Sequence, residues 1–224
     1  IDIASPTKYW TTGTYDFFSL YSEGGDIPAM TRKNNLPTFT YDIESQHELR
    51  LATATVDATN TYDEAVPFQF NHLLSKIKFQ GFSTDAKQEV TLKTITISSV
   101  AHTATYTITA DGTVGLTLSD DDADIQPLGT TGEFSLTAEA NLVMEKVVFP
   151  QIIGENQIEF KVTYDTSSEE NIEKSGYLPA TTWSAGNSYL YKFYIQPSGP
   201  IIFSGVTVKP WEAGESSDIL FDVP

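Results

Sequence analysis

Residues 66–79 carry two sets of apolar side chains that follow the period of a β-strand but are out of phase with each other. The even set is Phe68 and Phe70; the odd set is Leu73, Ile77 and Phe79. Successive side chains of a strand point to opposite faces of the sheet. Both sets can be buried only if the chain bulges, bends or passes from one sheet to another near His72. The segment therefore predicts a β-sandwich.

Segments with the same period of two recur along the chain, and no window shows a sustained helical period. The clearest are residues 158–164 and 189–195. Further predicted strands are residues 14–20, 48–55, 92–98, 103–109, 113–118, 133–138, 146–149 and 201–208. Asp111 and Gly112 suit a tight hairpin, because both tolerate a positive φ. Many short strands separated by turn residues are typical of an all-β sandwich protein.

A polar segment without a strand pattern, residues 56–65, precedes the phase change. We place a domain boundary there, with an N-terminal β-sandwich domain at residues 1–65 and a C-terminal one at residues 66–224. The first domain has only a few candidate strands and one long polar turn region, residues 23–35. That is little for an independent core, so we expect this domain to be incomplete at its N-terminal side in this chain.

Composition excludes several classes of partner and chemistry. The 30 acidic and 13 basic residues give a formal charge of −17, which repels nucleic acids and anionic lipids. The absence of cysteine excludes disulfides, thiolate metal sites and a cysteine nucleophile within this sequence. No apolar run has the length of a transmembrane helix. We expect a protein without nucleic-acid partners and without a transmembrane segment.

Residue patterns for catalysis or metal binding are weak. His47, His72 and His102 are widely separated, and none has a second ligand at metal-motif spacing. At the phase change, His72 is expected to pack and to satisfy backbone groups. Residues 119–124 alternate carboxylates as a calcium loop does, but Ile125 stands where the tight turn needs Gly. A solvated turn is the stronger interpretation, and calcium binding at residues 120–124 stays open.

No nucleophile elbow, dinucleotide fingerprint or phosphate loop is present, so the sequence predicts neither an enzyme nor a cofactor. Trp10, Trp183 and Trp211, with the eleven tyrosines, could in principle stack on sugars. Their strand-period placement favours core positions instead. A cell-surface carbohydrate-binding module without catalytic activity is therefore the alternative function.

Several motifs in sequence order resemble one protein family. The run from His72 to Phe79, His-Leu-Leu-Ser-Lys-Ile-Lys-Phe, resembles the His-x-Leu-Ser-Lys-Ile-x-Phe signature of the fimbrillin-like, or Mfa-like, proteins. The other matching pieces are Trp10 with Gly13-Thr14-Tyr15-Asp16-Phe17-Phe18, Glu48-Leu49-Arg50-Leu51-Ala52, Phe149-Pro150-Gln151, the run from Trp183 to Tyr191, and Val206-Thr207-Val208-Lys209-Pro210-Trp211. The resemblance spans the chain from Trp10 to Trp211.

The resemblance implies two transthyretin-like β-sandwich domains and a role as a subunit of type V pili of anaerobic gut and oral bacteria. Such proteins are exported as lipoprotein precursors, reach the outer membrane surface and polymerise by strand exchange with other pilus subunits. A role in cell adhesion also implies ligands on host or bacterial surfaces. The expected location is the fimbria on the outer surface of the cell.

The segment after Trp211 supplies the predicted donor or appendage strand. Its apolar residues are Ile219, Leu220, Phe221 and Val223. An open sandwich edge can accept such a segment from a neighbouring subunit. The alternative is a terminal strand that folds back on its own domain.

Overall fold

The computed structural model describes residues 12–25, 27–61, 65–83, 89–109, 111–121, 125–196 and 199–211. These residues form β-strands and one helical turn, α1 (Ala58–Thr61). The strands are β1 (Thr14–Ser22), β2 (Thr31–Lys33), β3 (Leu36–Asp42), β4 (Leu49–Asp57), β5 (Asn71–His72), β6 (Ser75–Ser83), β7 (Val90–Ala101), β8 (Thr103–Ile108), β9 (Val114–Leu118), β10 (Ile125–Leu136), β11 (Asn141–Val148), β12 (Gln151–Ile153), β13 (Glu159–Thr166), β14 (Ile172–Tyr177), β15 (Thr181–Trp183), β16 (Asn187–Ile195) and β17 (Ile201–Pro210). The predicted all-β class is confirmed.

Four main sheets build two sandwiches, and each sheet is named here after one of its inner strands. The C-terminal sandwich consists of the β6 sheet, ordered β11-β6-β16-β17, and the β7 sheet, ordered β10-β7-β13-β14. The N-terminal sandwich consists of the β4 sheet, ordered β1-β4-β5, and the β3 sheet, ordered β2-β3-β8-β9. β12 and β15 form a separate two-stranded ribbon. Pairing is antiparallel except between β6 and β16, which run parallel.

The core of the C-terminal sandwich forms from alternate residues of facing strands. Along β6, buried residues alternate with half-buried ones, as a strand with one inward face requires. The ring of Phe79 stacks on Phe160 from the β7 sheet and on Tyr191 from β16, each with centroids 5.1 Å apart. Phe160 also meets Phe193 edge-on at 4.9 Å. These aromatic contacts join the two sheets.

A second core fills the N-terminal sandwich, where Phe39 of β3 stacks on Tyr106 of β8. The hairpin β8–β9 follows residue 65 in sequence, yet β8 pairs with β3. Asp111 and Gly112 form the tight turn of this hairpin, and Gly112 adopts a φ of +81°. The boundary between residues 65 and 66 stays a prediction; the pairing adds that a later hairpin completes the β3 sheet.

The predicted change of strand phase is a passage between sheets. β5 pairs with β4, whereas β6 pairs with β11 and β16. Only Leu73 and Leu74 separate β5 from β6, and both are buried. Leu73 donates its N–H to the carbonyl of Leu49 at 2.9 Å, and the chain then leaves the β4 sheet. Leu73 therefore belongs to the N-terminal core and Ile77 and Phe79 to the C-terminal one. Phe68 and Phe70 lie in neither core; they are half-buried and meet Phe17 and Tyr21 of β1 edge-on.

Sequence reasoning missed β3 and its partner β2, which lie partly in the region expected to be a long polar turn. β3 contains three consecutive buried residues, Pro37, Thr38 and Phe39, and so lacks the alternation that marks a strand with one solvated face. The turn between the strands uses Asn34 and Asn35, with φ of 52° and 65°. Asn tolerates this left-handed region, so the pair closes a hairpin.

Candidate functional site

Five side chains form a compact group where the chain passes between the sandwiches. We call Glu48, Arg50, His72, Lys76 and Trp211 the junction cluster. Residue 48 directly precedes β4, and the other four lie on or next to β4, β5, β6 and β17. Three stretches that are distant in sequence, residues 48–50, 72–76 and 211, thus converge at one point. All five members belong to sequence motifs that resemble the fimbrillin-like family.

Glu48 is the anionic centre of the junction cluster. His72 Nδ1 lies 2.5 Å from Glu48 Oε1, and Arg50 binds both carboxylate oxygens, with Nη2 to Oε2 at 3.1 Å. Burial disfavours the carboxylate, but hydrogen bonds from His72 and Arg50 outweigh that cost and lower the pKa of Glu48 to about 2. Hydrogen bonding to Glu48 also raises the pKa of Arg50. Glu48 is therefore a paired carboxylate at neutral pH.

Trp211 covers the other side of the cluster. Its ring stacks on His72 with centroids 4.6 Å apart and an interplanar angle of 20°. The ammonium of Lys76 lies 4.5 Å from the Trp211 ring centroid, within the range of a cation–π contact. Lys76 also pairs with Glu145 of β11 at 3.0 Å. The ring of Trp211 is thus held between a histidine and a lysine.

Backbone hydrogen bonds fix the same point. Trp211 donates its N–H to the carbonyl of Gly186 at 2.7 Å, and Gly186 donates its own to Leu74 at 2.9 Å. Ser75 Oγ donates to the carbonyl of Ser184 at 2.8 Å. Gly186 adopts a φ of +72°, which favours glycine here. The Ser-Lys and Trp-x-x-Gly pieces of the sequence therefore meet in space to join β6, β16 and β17.

The junction cluster is a structural joint, since Glu48 pairs with Arg50 and His72 within it and Lys76 pairs with the adjoining Glu145. The expected packing role of His72 is correct, but its partners differ from the expected ones. The ring meets the Glu48 carboxylate and the Trp211 ring, whereas the sequence suggested backbone groups. The sequence could not pair positions 48, 72 and 211, because only tertiary folding makes them neighbours.

Among the described residues, each sheet of the N-terminal sandwich has two end strands: β1 and β5 in the β4 sheet, and β2 and β9 in the β3 sheet. Two of these, β1 and β9, border the second core. Both strands direct half-buried apolar side chains towards the second core: Phe18 and Leu20 from β1, and Val114, Leu116 and Leu118 from β9. We call these five residues the open rim. A cavity of about 260 Å³ lies beside it, between β1, β4 and the turn at Asp111 and Gly112.

A second, wider cavity of about 590 Å³ lies along β3. Its lining includes Ile27, Tyr41, Asp42 and Glu44, and Ile27 is 56% exposed. β2 pairs only with residues 36–38 of β3, so the remaining part of that edge has no strand beside it among the described residues.

The remaining sequence candidates have the following places. Ile219, Leu220, Phe221, Val223, Trp10 and part of the acidic turn, residues 122–124, lie outside the described residues. Trp183 is buried, and its Nε1 donates to the Tyr191 hydroxyl at 2.8 Å, so it belongs to the core. Within the described part of the chain, no three His, Asp or Glu side chains group as a metal site would require. In the same residues, no helix has the length and apolar character of a membrane span.

The sequence as a whole matches a known protein family. A family model described as fimbrillin-like matches residues 2–211. The chain belongs to the fimbrillin-like family. No curated protein sequence matches it.

Solved structures share the fold of this fimbrillin-like protein. A fimbrial protein from Bacteroides vulgatus has a TM-score of 0.58 at 15% identity, over 84% of this chain and 73% of the other. A proposed cell adhesion protein from Bacteroides uniformis has a TM-score of 0.57 at 21% identity, over 90% and 74%. Another proposed cell adhesion protein, from Bacteroides ovatus, has a TM-score of 0.57 at 15% identity, over 96% of this chain and 75% of the other. At these identities the likeness establishes the fold alone.

Proposed function

We propose that this fimbrillin-like protein is a structural and adhesive subunit of a bacterial surface fimbria, acting without catalysis. Membership of the family supports the coarse role. Similar folds in a fimbrial protein and in proposed adhesion proteins agree with it. The proposed location is the outer surface of the cell, reached by export as a lipoprotein precursor. The proposed partners are further pilus subunits, of the same or a different kind, and ligands on host or bacterial surfaces.

We further propose that subunits assemble by strand exchange at the open rim. The single observation that carries this proposal is the outer edge of β9, which has no strand beside it among the described residues and borders half-buried apolar side chains of the N-terminal core. An extended segment from a neighbour would satisfy the backbone groups of an edge and cover these side chains at the same time. The two gains act together, so a matching strand would bind more strongly than hydrogen bonding alone allows.

The proposed donor is the segment with Ile219, Leu220, Phe221 and Val223. Residues 219, 221 and 223 would share one face of a strand, and all three are apolar. That pattern suits insertion against an apolar rim. Deletion of residues 219–224 should abolish polymers seen by electron microscopy and leave the monomer folded by circular dichroism. Polymers of unchanged length would contradict the donor assignment.

A cross-linking experiment locates the acceptor, because the chain has no cysteine of its own. Phe221→Cys combined with Leu116→Cys should give disulfide-linked oligomers under oxidising conditions, since Leu116 belongs to the open rim. Thr117→Cys is the matched control: it lies on the same strand but is exposed on the opposite face. Equal cross-linking with Thr117→Cys, or none with Leu116→Cys, would overturn insertion beside β9.

A further inference from the structure

The outer face of the β6 sheet carries a cluster of lysines, although the chain as a whole is strongly acidic. Along β6 and β16, inward residues are buried and the alternate ones point outwards. Register places these outward residues in rows across β6, β16 and β17. The rows are Lys76-Ser188-Lys209, Lys78-Leu190-Thr207, Gln80-Lys192-Gly205 and Phe82-Tyr194-Ile202. We call the last three rows, together with Lys209, the lysine face.

The three strands that build this face contain four lysines and no acidic residue. The whole chain has 30 acidic and only 13 basic residues, so a surface of this kind is a local exception to its net charge of −17. The acidic neighbour from the adjoining strand is Glu145 of β11, which pairs with Lys76 and Lys78 at 3.0 and 2.9 Å. One carboxylate thus balances part of the positive charge, and the rest faces solvent.

The exposed lysines stand clear of the junction cluster. Lys76 lies under Trp211, whereas Lys192 and Lys209 are exposed and Lys78 keeps a side-chain exposure of 34%. By register, Lys192 lies one strand and two residues from Lys78, about 8 Å between Cα atoms, and one strand and four residues from Lys209, about 14 Å. Such a spacing allows one extended anionic chain to meet several ammonium groups in turn.

The last row adds aromatic surface to the positive charge. Phe82 and Tyr194 are half-buried on the outer face, with ring centroids 5.2 Å apart. Gly205 lies beside Lys192, and a Cβ placed on it would have no other atom within 4 Å. The surface there is therefore open. Amphipathic rings at the end of a lysine row favour a ligand that combines anionic groups with apolar faces.

We propose that the lysine face binds an anionic polysaccharide, a glycan chain whose sugar residues carry carboxylate or sulfate groups. Lys78, Lys192 and Lys209 would contact the anionic groups, and Tyr194 would stack on a sugar ring. The charge of the face is complementary to such a chain, and the aromatic row distinguishes a glycan from a simple polyanion. This binding goes beyond the role as a pilus subunit and does not depend on polymerisation.

The net charge of the chain opposes this ligand only at long range. At an ionic strength of about 0.15 M the Debye length is about 8 Å, so acidic residues on remote surfaces are largely screened. Contacts between the lysine face and a bound glycan are shorter than that distance. The local face therefore decides binding under physiological salt, while the remote charge slows the approach of the ligand.

The test measures binding of the full chain, in its monomeric form, to alginate oligomers in 0.15 M salt by thermophoresis. Neutral dextran of the same length and polyglutamate of the same charge are the comparison ligands. We expect alginate to bind, dextran to fail and polyglutamate to bind more weakly. Lys192→Glu with Lys209→Glu should weaken alginate binding by about tenfold or more.

Matched variants distinguish the effect of the lysine face on binding from the effects of net charge and of misfolding. Lys33 is exposed on β2, away from the lysine face. Lys33→Glu changes the net charge as much as each lysine-face substitution does, so this variant should keep most of the affinity for alginate. Tyr194→Leu keeps apolar volume but removes the ring, and it should weaken alginate binding while leaving polyglutamate binding unchanged. Thermal unfolding of each variant verifies that it folds.

Three results would overturn the proposal. Equal alginate binding by the chain and the double lysine variant would remove the lysine face as the site. If polyglutamate bound as tightly as alginate, and Tyr194→Leu weakened neither, the lysine face would be an unspecific binder of anions. Self-association that the lysine variant abolishes, without alginate binding, would make it a contact between copies of the chain. Each outcome is independent of whether deletion of residues 219–224 stops polymerisation.

Discussion

At the scale of single residues, Glu48 carries the strongest electrostatic role in the described part of the N-terminal sandwich. Its carboxylate is largely buried, with side-chain exposure of 10%, and is stabilised by the Arg50 guanidinium and by the neighbouring His72 ring. Such an arrangement is costly to break, because removal of one partner leaves a buried charge behind. Glu48 was conspicuous in sequence only as part of a short motif. Its partners 2 and 24 residues further on give it its role.

Replacement of the carboxylate should change how stability depends on pH. The pKa of Glu48 falls from an ordinary 4.5 to about 2 on folding. A depressed carboxyl pKa stabilises the fold above the unfolded value, and the contribution is lost as pH falls from about 5 towards 2. Glu48→Gln should remove about 2–3 kcal/mol of unfolding free energy at pH 7 and much less at pH 3. Urea unfolding at both pH values measures this.

Glu145→Gln is the control for that experiment. Glu145 also pairs with lysines, but its side chain is 37% exposed, so solvent screens the pairs. Its replacement should cost less than about 1 kcal/mol at pH 7. If Glu48→Gln lost the same free energy at pH 3 as at pH 7, the ion pairs of the junction cluster would not be the source of its effect.

At the scale of elements, a single loop residue links the two sandwiches. Gln46 lies between β3 and β4 and accepts a hydrogen bond from the N–H of Val147 at 2.9 Å, while its amide donates to the carbonyl of Ile43 at 2.7 Å. Val147 belongs to β11 of the β6 sheet. The Gln46 side chain thus takes the place of a neighbouring strand at that point of β11. Gln46 has a φ of 56°, an uncommon value for this residue type.

Gln46→Asn distinguishes the effect of backbone strain at residue 46 from the effect of its side-chain hydrogen bond to Val147. Asn tolerates positive φ better than Gln, but it is one methylene shorter and cannot reach Val147. We expect a loss of about 1–2 kcal/mol, and faster hydrogen exchange at the Val147 amide. Ser45→Ala, at an exposed neighbouring position, should change neither quantity. A more stable Gln46→Asn variant would mean that relief of backbone strain outweighs the contact with β11.

Among the elements, those with one solvated face were predictable. β1, β8, β9, β13 and β16 follow the alternation that the sequence carries, and the Asp111–Gly112 turn confirms its hairpin. β3 was not predictable, because it is buried on consecutive positions and its strand partner lies 65 residues away at Thr105. Periodicity reports the contrast between core and solvent. In β3 that contrast is confined to residues 39–42, too short a stretch to mark a strand.

At the scale of the whole molecule, net charge should control assembly. Copies that each carry −17 repel one another at low ionic strength, and added salt screens this repulsion. If polymerisation depends on apolar strand insertion, raising salt from about 10 to 150 mM should speed it up by about tenfold or more. Light scattering of purified monomer follows the rate. Slower polymerisation in higher salt would indicate that opposite charges, rather than the open rim, hold subunits together.

The sequence by itself determined the all-β class, a break in strand phase near His72 and the family, and the structure showed that this break is a passage between sheets. These features are written in local order: side-chain period, turn residues and short motifs. Tertiary structure alone decided that Glu48, His72 and Trp211 form one joint, that the hairpin β8–β9 completes the β3 sheet, and that four lysines share one outer face. Register between strands distant in the chain sets these neighbours, and a one-residue slip would move every side chain to the opposite face.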